Sequence, residues 1–194
     1  MSVKRRALIA LAVLVVAAIV VIGLLQTDSG SNASPEPLTA DQVKQGIAGA
    51  PAPLAAVHVQ RNQLLGGGKK ALDTRIRALR GHPIVVNVWG SWCDPCRAEA
   101  PILQRVAVEH ANDVAFFGID TQDPAENAKR FLRKVPLSYP SYQDLRGAIA
   151  NGYGLTGTPS TIFYNAHGDT FLHAGVYHSE ADLEADLRKY ALGA

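Results

Sequence analysis

The chain of 194 residues contains two cysteines, Cys93 and Cys96, with two residues between them. A c-type haem attachment site requires a histidine directly after the second cysteine, and this position is Arg97. A structural zinc site requires four ligands, but the six histidines are scattered without ligand spacing, so no metal is expected. A purely structural bridge is disfavoured because it would close a very small loop and remove little chain entropy. The pair therefore fits a redox-active dithiol.

The position of this pair predicts different roles for the two sulfurs. An apolar, β-branched run at 84–89 predicts a buried strand, and a helical stripe of apolar residues follows at 98–110. Cys93 then lies at the helix N-terminus, where unpaired N–H groups and the helix dipole stabilise a thiolate. Pro95 suits the first turn, where a missing N–H is tolerated. We expect Cys93 to be the exposed attacking thiol and Cys96 to be the shielded resolving thiol.

Two acidic residues lie close to the pair. Asp94 is next to the attacking sulfur, where a carboxylate disfavours the thiolate and makes the couple more reducing. The alternative is that Asp94 only helps to cap the helix. Glu99 follows Cys96 by one helical turn and shares the apolar side of the predicted helix. A carboxylate beside a redox sulfur on a buried stripe is a candidate proton acceptor with a raised pKa.

The elements around the cysteines follow the order β-α-β-α-β-β-α, which predicts an α/β domain over residues 54–194 with the pair at the carboxyl end of a central strand. We predict strands at 55–59, 84–89, 114–119, 161–164 and 170–176, and helices at 39–47, 72–79, 98–110, 125–135 and 179–192.

The N-terminal region predicts a membrane anchor. Residues 7–25 carry no charge, and a helix of that length spans about 28 Å, close to the thickness of a bilayer core. Basic residues at positions 4–6 place residues 1–6 in the cytoplasm and everything after the anchor outside. Residues 26–53, rich in Pro, Gly, Ser and Ala, predict a tether. The alternative is a signal peptide cleaved near 31–33.

The overall charge argues against one class of partner. The formal net charge is +2, and three of the positive charges belong to the basic cluster before the predicted anchor. The chain therefore lacks the excess of basic residues that is typical of a nucleic-acid-binding protein.

Residues 86–101 resemble the signature of the TlpA/ResA/CcmG group of membrane-anchored thiol–disulfide oxidoreductases. The resemblance implies a thioredoxin-like fold, with a central mixed sheet flanked by helices, and no cofactor. Residues 157–161 resemble the loop in which this family carries a cis-proline. The resemblance thus implies that Pro159 lies against the two sulfurs and that the Thr158 backbone pairs with an extended substrate segment. It also implies that Trp92 packs beside the active site and shields Cys96.

The expected function is reduction of protein disulfides on the extracytoplasmic side of a bacterial plasma membrane, where a single-pass anchor holds the domain. The resemblance implies apocytochrome c, or a chaperone that carries it, as substrate and a CcdA- or DsbD-like membrane thiol relay as reductant. One alternative is a disulfide-forming oxidase of secreted proteins. Another is a non-catalytic module that holds peptides in the Pro159 groove. A peroxidase is disfavoured because its typical motif is absent from the sequence.

Overall fold

The computed structural model describes residues 35–193. Six strands in this range form one sheet in the order β1-β4-β3-β2-β5-β6. The strands are β1 (Leu64–Leu65), β2 (Ile84–Trp89), β3 (Ala115–Thr121), β4 (Ser141–Asp144), β5 (Ser160–Tyr164) and β6 (Thr170–Ala174). The central strand β2 runs parallel to β3 and antiparallel to β5, so the sheet is mixed, as predicted.

Helices cover both faces of the sheet. They are α1 (Ala40–Gly46), α2 (Ala52–His58), α3 (Gly68–Ala78), α4 (Asp94–Glu109), α5 (Ala125–Lys134), α6 (Ala148–Gly152) and α7 (Glu180–Asp186), which continues into π-helical turns at Leu187–Leu192. Successive side chains of a strand point to opposite faces. In β2, Val85 and Trp89 therefore join the core with α4, α5 and α7, whereas Val86 and Val88 join the core with α2, α3 and α6.

The strand predicted at 55–59 is wrong, because these residues belong mostly to α2. Leu54, Val57 and His58 are buried, and their spacing places them on one side of a helix. The Nε2 of His58 donates a hydrogen bond of 2.9 Å to the carbonyl oxygen of Ala111, which fixes α2 against the domain. Strand β4 and helix α6 were not predicted from the sequence.

The described part of the predicted tether packs on α4. The backbone N–H of Leu38 donates to Gln104 Oε1 at 2.6 Å, and Arg105 Nη2 donates to the carbonyl oxygen of Glu36 at 2.7 Å. Val43 of α1 is buried. The packed domain thus begins before residue 54, because this segment carries apolar and polar groups that match α4.

No helix within residues 35–193 combines the length and the apolar character that crossing a bilayer requires. Residues 1–6, the predicted anchor at 7–25 and the alternative cleavage site lie outside the described residues.

Candidate active site

Cys93 and Cys96 form a disulfide bond where β2 passes into α4. Cys93 is the N-cap residue of α4, and the backbone N–H of Cys96 donates to the Cys93 sulfur at 3.2 Å. Pro95 occupies the first turn, as expected, where no N–H is needed. The Cys93 sulfur therefore lies at the positive end of the helix dipole, which stabilises negative charge on it after reduction.

The two sulfurs do not differ in exposure as predicted. Cys93 is 4% exposed and Cys96 is 3% exposed, so the prediction of an exposed Cys93 is wrong for the disulfide form. One reason is that the carbonyl oxygen of Thr158 lies 3.7 Å from the Cys93 sulfur. What distinguishes Cys93 is electrostatic, because its sulfur accepts the N–H at the start of α4.

The peptide bond between Thr158 and Pro159 is cis, as predicted. Strand β5 begins directly after it and pairs antiparallel with β2, with Ser160 opposite Val88. This pairing brings the loop to the carboxyl end of β2, beside the disulfide. The carbonyl oxygen of Pro159 accepts a hydrogen bond of 3.1 Å from the N–H of Gly175 at the end of β6, which holds the loop in place.

Glu99 is fully buried on α4, one turn after Cys96. Its Oε1 accepts a hydrogen bond of 3.0 Å from Asn87 Nδ2, and its Oε2 accepts one of 2.9 Å from the N–H of Tyr177. Burial raises the pKa of Glu99 from 4.5 to about 7, and the two hydrogen bonds oppose this shift. This carboxyl group can therefore exchange a proton near neutral pH.

Asp94 is solvent-exposed, and its side chain lies 3.4 Å from Arg97 Nη1. It is not the capping group, because the Cys93 sulfur accepts the N–H that a capping side chain would accept. Asp94 nevertheless lies in the first turn of α4, where a carboxylate favours the helix N-terminus, so both this role and its effect on the Cys93 thiolate stay predictions.

Trp92 is 52% exposed, and its Nε1 donates to the carbonyl oxygen of Thr121 at 3.2 Å. A Cβ atom on Gly90 would lie 2.5 Å from this indole nitrogen, so the ring folds over a position that only glycine fits. The ring thus packs on the turn before the cysteines, and the shielding of Cys96 by Trp92 stays a prediction.

Sequence reasoning missed two carboxylates behind this turn. Asp123 Oδ2 accepts a hydrogen bond of 2.6 Å from the N–H of Ser91. Asp120, at the end of β3, is fully buried, and neither of its oxygens accepts a hydrogen bond within the described range. Burial raises the pKa of Asp120 to about 8; the charge of Asp123, a hydrogen bond from protonated Asp120 to Asp123 and the charge of Asp144 add to the shift. Acidic residues at the carboxyl end of a strand next to the site were the available signal.

Among residues 35–193, no group of three or more His, Cys, Asp or Glu side chains is arranged to hold a metal ion.

The mixed sheet, the disulfide at the start of α4 and the adjacent cis-proline define a protein of the thioredoxin-like class. The chain belongs to the Redoxin family, whose profile matches residues 47–187.

The curated relatives are consistent with this class. The thiol-disulfide oxidoreductase ResA of Halalkalibacterium halodurans is 29% identical over 102 residues, which cover 52% of this chain and 58% of ResA. The thiol:disulfide interchange protein DsbE of Pseudomonas fluorescens biotype C is 35% identical over 91 residues, 46% of this chain and 49% of DsbE. The soluble secreted antigen MPT53 of Mycobacterium tuberculosis is 35% identical over 97 residues, 50% of this chain and 56% of MPT53. The chain thus spans about half the length of the curated relatives that it matches, and the predicted resemblance is confirmed.

Two solved structures share the fold. The MTB dsbF structure, in mixed oxidized and reduced forms, matches with a TM-score of 0.55 and 28% identity over 58% of this chain and 84% of that chain. A secreted Mycobacterium tuberculosis disulfide oxidoreductase, homologous to Escherichia coli DsbE, matches with a TM-score of 0.53 and 29% identity over 58% of this chain and 85% of that chain. The predicted thioredoxin-like α/β fold is therefore confirmed for the described domain.

Proposed function

We propose that the chain is a protein-disulfide oxidoreductase that reduces disulfides in substrate proteins by cycling Cys93 and Cys96 between dithiol and disulfide. The observation that carries this proposal is the cysteine pair at the start of α4, with the Cys96 N–H directed at the Cys93 sulfur. That arrangement stabilises a thiolate on Cys93, and the thiolate is the reactive form in disulfide exchange.

In this cycle the Cys93 thiolate attacks one sulfur of the substrate disulfide, and the other substrate sulfur leaves with the bonding electron pair. Cys96 then loses its proton and attacks Cys93, which releases the first substrate sulfur as a thiolate. Two electrons pass to the substrate, and the Cys93–Cys96 disulfide remains. Glu99, one turn from Cys96 and with a pKa of about 7, accepts the proton that Cys96 loses.

The substrate approaches along the Thr158–Pro159 edge. The carbonyl oxygen of Thr158 is 3.7 Å from the Cys93 sulfur, so an extended segment lying on this edge brings its own disulfide to Cys93. Backbone pairing with Thr158, in the manner of an added strand, would hold that segment whatever its side chains are.

The cellular setting extends the proposal. The relative named a soluble secreted antigen supports an extracytoplasmic location, and the apolar run at 7–25 supports a single-pass anchor in the bacterial plasma membrane. We propose apocytochrome c as the type of substrate. We propose a CcdA- or DsbD-like thiol relay as the source of electrons.

The direction of electron flow is tested by the reduction potential of the full-length chain, equilibrated with thiol–disulfide buffers. A reductant is expected near the thioredoxin value of about −270 mV, whereas a value near −120 mV would make the chain a disulfide-forming oxidase. Cys93→Ser provides the second test. A dithiol cycle predicts that turnover is lost in this variant, whereas a peptide-binding module would keep its function.

A further inference from the structure

A cleft of about 330 Å³ lies beside the disulfide, between the start of α4 and helix α5. Trp92, directly before Cys93, and Arg97, directly after Cys96, form one side of it. This wall is therefore formed by the sequence neighbours of the two cysteines, although neither cysteine itself lines the cleft. A protein bonded to Cys93 can therefore contact this cleft as well as the Thr158–Pro159 edge.

Three cationic side chains line the cleft: Arg97, Arg130 and Lys134. Arg97 has a weak partner in Asp94, at 3.4 Å. Within the part of the chain that the structure describes, neither Arg130 nor Lys134 has a carboxylate within 4.0 Å. Arg130 reaches only the Oδ1 of Asn127, at 3.5 Å. Neither cation on the α5 wall is therefore held in an ion pair within the described residues.

The nearby carboxylates are engaged elsewhere. Asp123 is buried and accepts the N–H of Ser91, so it faces the turn rather than solvent. Glu126 lies 3.3 Å from Lys129, on the exposed side of α5. Neither carboxylate is on the cleft lining. An anion entering the cleft would meet Arg130 and Lys134 without displacing a carboxylate from either.

The cleft also has an aromatic component. Trp92 is half-exposed at its mouth, and the mostly buried ring of Phe131 contributes to its floor. An exposed indole beside guanidinium and ammonium groups suits a segment that combines acidic and apolar side chains.

We propose that this cleft binds an acidic segment of the substrate protein close to its redox cysteine, and that Arg130 and Lys134 select for that segment. This inference rests on the proposed reductase function and names its substrate class. Exposed ion pairs are individually weak, so we expect two cations together to favour an acidic substrate by about 10-fold in kcat/KM at low salt. The preference should disappear at high salt, because the charges are exposed to solvent.

The test uses the reduced full-length chain and two synthetic disulfide-bonded peptides. They differ only in the residues beside one cysteine, which are Glu in one peptide and Gln in the other. The variant Arg130→Gln/Lys134→Gln removes the charge without touching either cysteine. Arg97 is left intact because it adjoins Cys96. The matched control, Lys70→Gln/Arg80→Gln, removes the same charges at exposed positions on and just after α3, on the opposite side of the sheet.

We expect the wild type and the α3 control to reduce the Glu peptide about 10-fold faster than the Gln peptide at low salt. The α5 variant should reduce both peptides at the rate at which the wild type reduces the Gln peptide. Arg130→Glu/Lys134→Glu should reverse the preference. Equal rates for the two peptides in the wild type would overturn the cleft's role while leaving the reductase function intact. Failure to reduce either peptide would instead overturn the reductase function, and the proposed selectivity with it.

Discussion

Glu99 and Asp120 are both fully buried carboxylates, and they lie on the same side of the sheet, yet their surroundings differ. Each oxygen of Glu99 accepts one hydrogen bond, from Asn87 and from the Tyr177 backbone. Neither oxygen of Asp120 accepts a hydrogen bond from any of residues 35–193. The pKa of Glu99 is about 7 and that of Asp120 about 8, and burial is the largest cause in both cases.

These different surroundings favour ionisation of Glu99 over ionisation of Asp120. Donors aimed at Glu99 stabilise its charged form and hold its pKa near neutrality, where it can take up and release a proton. Asp120 instead faces other carboxylates, whose charges favour its neutral form. We therefore expect Glu99 to act in proton transfer from Cys96, and Asp120 to remain protonated at neutral pH behind the active-site turn.

The largest expected effect separates the two groups kinetically. Glu99→Gln removes the proton acceptor, so resolution by Cys96 should slow by roughly 100- to 1,000-fold, and the mixed disulfide should accumulate. Asp120→Asn should change the same step by less than about 3-fold, because this side chain serves no proton transfer in the cycle. Rapid-quench kinetics with a disulfide peptide, with trapped intermediates separated by mass, measures both variants. Equal slowing in the two variants would refute the division of roles.

The sequence predicts the position of the cysteine pair well because its determinants are local. The cysteine spacing, the strand before it and the helix after it are adjacent in the chain, and Glu99 is one turn away on the same helix. The cis bond before Pro159 was predicted only through the family resemblance, because its role depends on β5 pairing with β2. Residues 55–59 were misassigned because alternating apolar residues in so short a segment fit a strand or a helix equally well.

The missed features depend on contacts between distant segments. Strand β4 has the polar sequence Ser-Tyr-Gln-Asp, and Ser141 is buried because its Oγ accepts a hydrogen bond of 3.0 Å from Trp89 Nε1. Asp123, beside Pro124, suggested only a helix start, but its carboxylate bonds to Ser91 instead. Neither the hydrogen bond to Ser141 nor the one to Asp123 leaves a periodic pattern in the sequence.

A smaller effect should distinguish the two carboxylates through the free energy of unfolding of their variants. Both pKa values are higher in the folded chain than their ordinary values of 4.5 and 3.8, so the native state holds these protons more tightly. Stability is therefore fully present below those ordinary values and declines as pH rises toward about 7 for Glu99 and about 8 for Asp120. Asp120→Asn should raise the free energy of unfolding by ~2 kcal/mol near pH 9 and change it little near pH 5.

Glu99→Gln should instead lose stability near pH 5, although its free energy of unfolding relative to wild type should also rise with pH. The amide nitrogen of glutamine would face one of the two donors, and leaving that donor unsatisfied costs ~1–3 kcal/mol near pH 5. Near pH 9 the loss shrinks, because the wild type then carries a buried charge. Denaturant unfolding of the oxidised proteins at both pH values measures the four free energies. Equal changes in the free energy of unfolding for the two variants near pH 5 would show that the hydrogen-bond partners do not distinguish the sites.

The smallest expected effect comes from removing one of the two hydrogen bonds that set Glu99 apart from Asp120. Asn87→Val removes the donor to Glu99 Oε1 at a strand position flanked by valines. Losing a hydrogen bond to the charged form should raise the pKa of Glu99 by roughly one unit above its value of about 7. The acid limb of the rate–pH profile should move up by the same amount, while the rate at alkaline pH stays unchanged. Asp120 does not contact the two donors to Glu99. The acid limb of the rate–pH profile of Asp120→Asn should therefore stay at the wild-type position. An acid limb that does not move in Asn87→Val would mean that a group other than Glu99 receives the Cys96 proton.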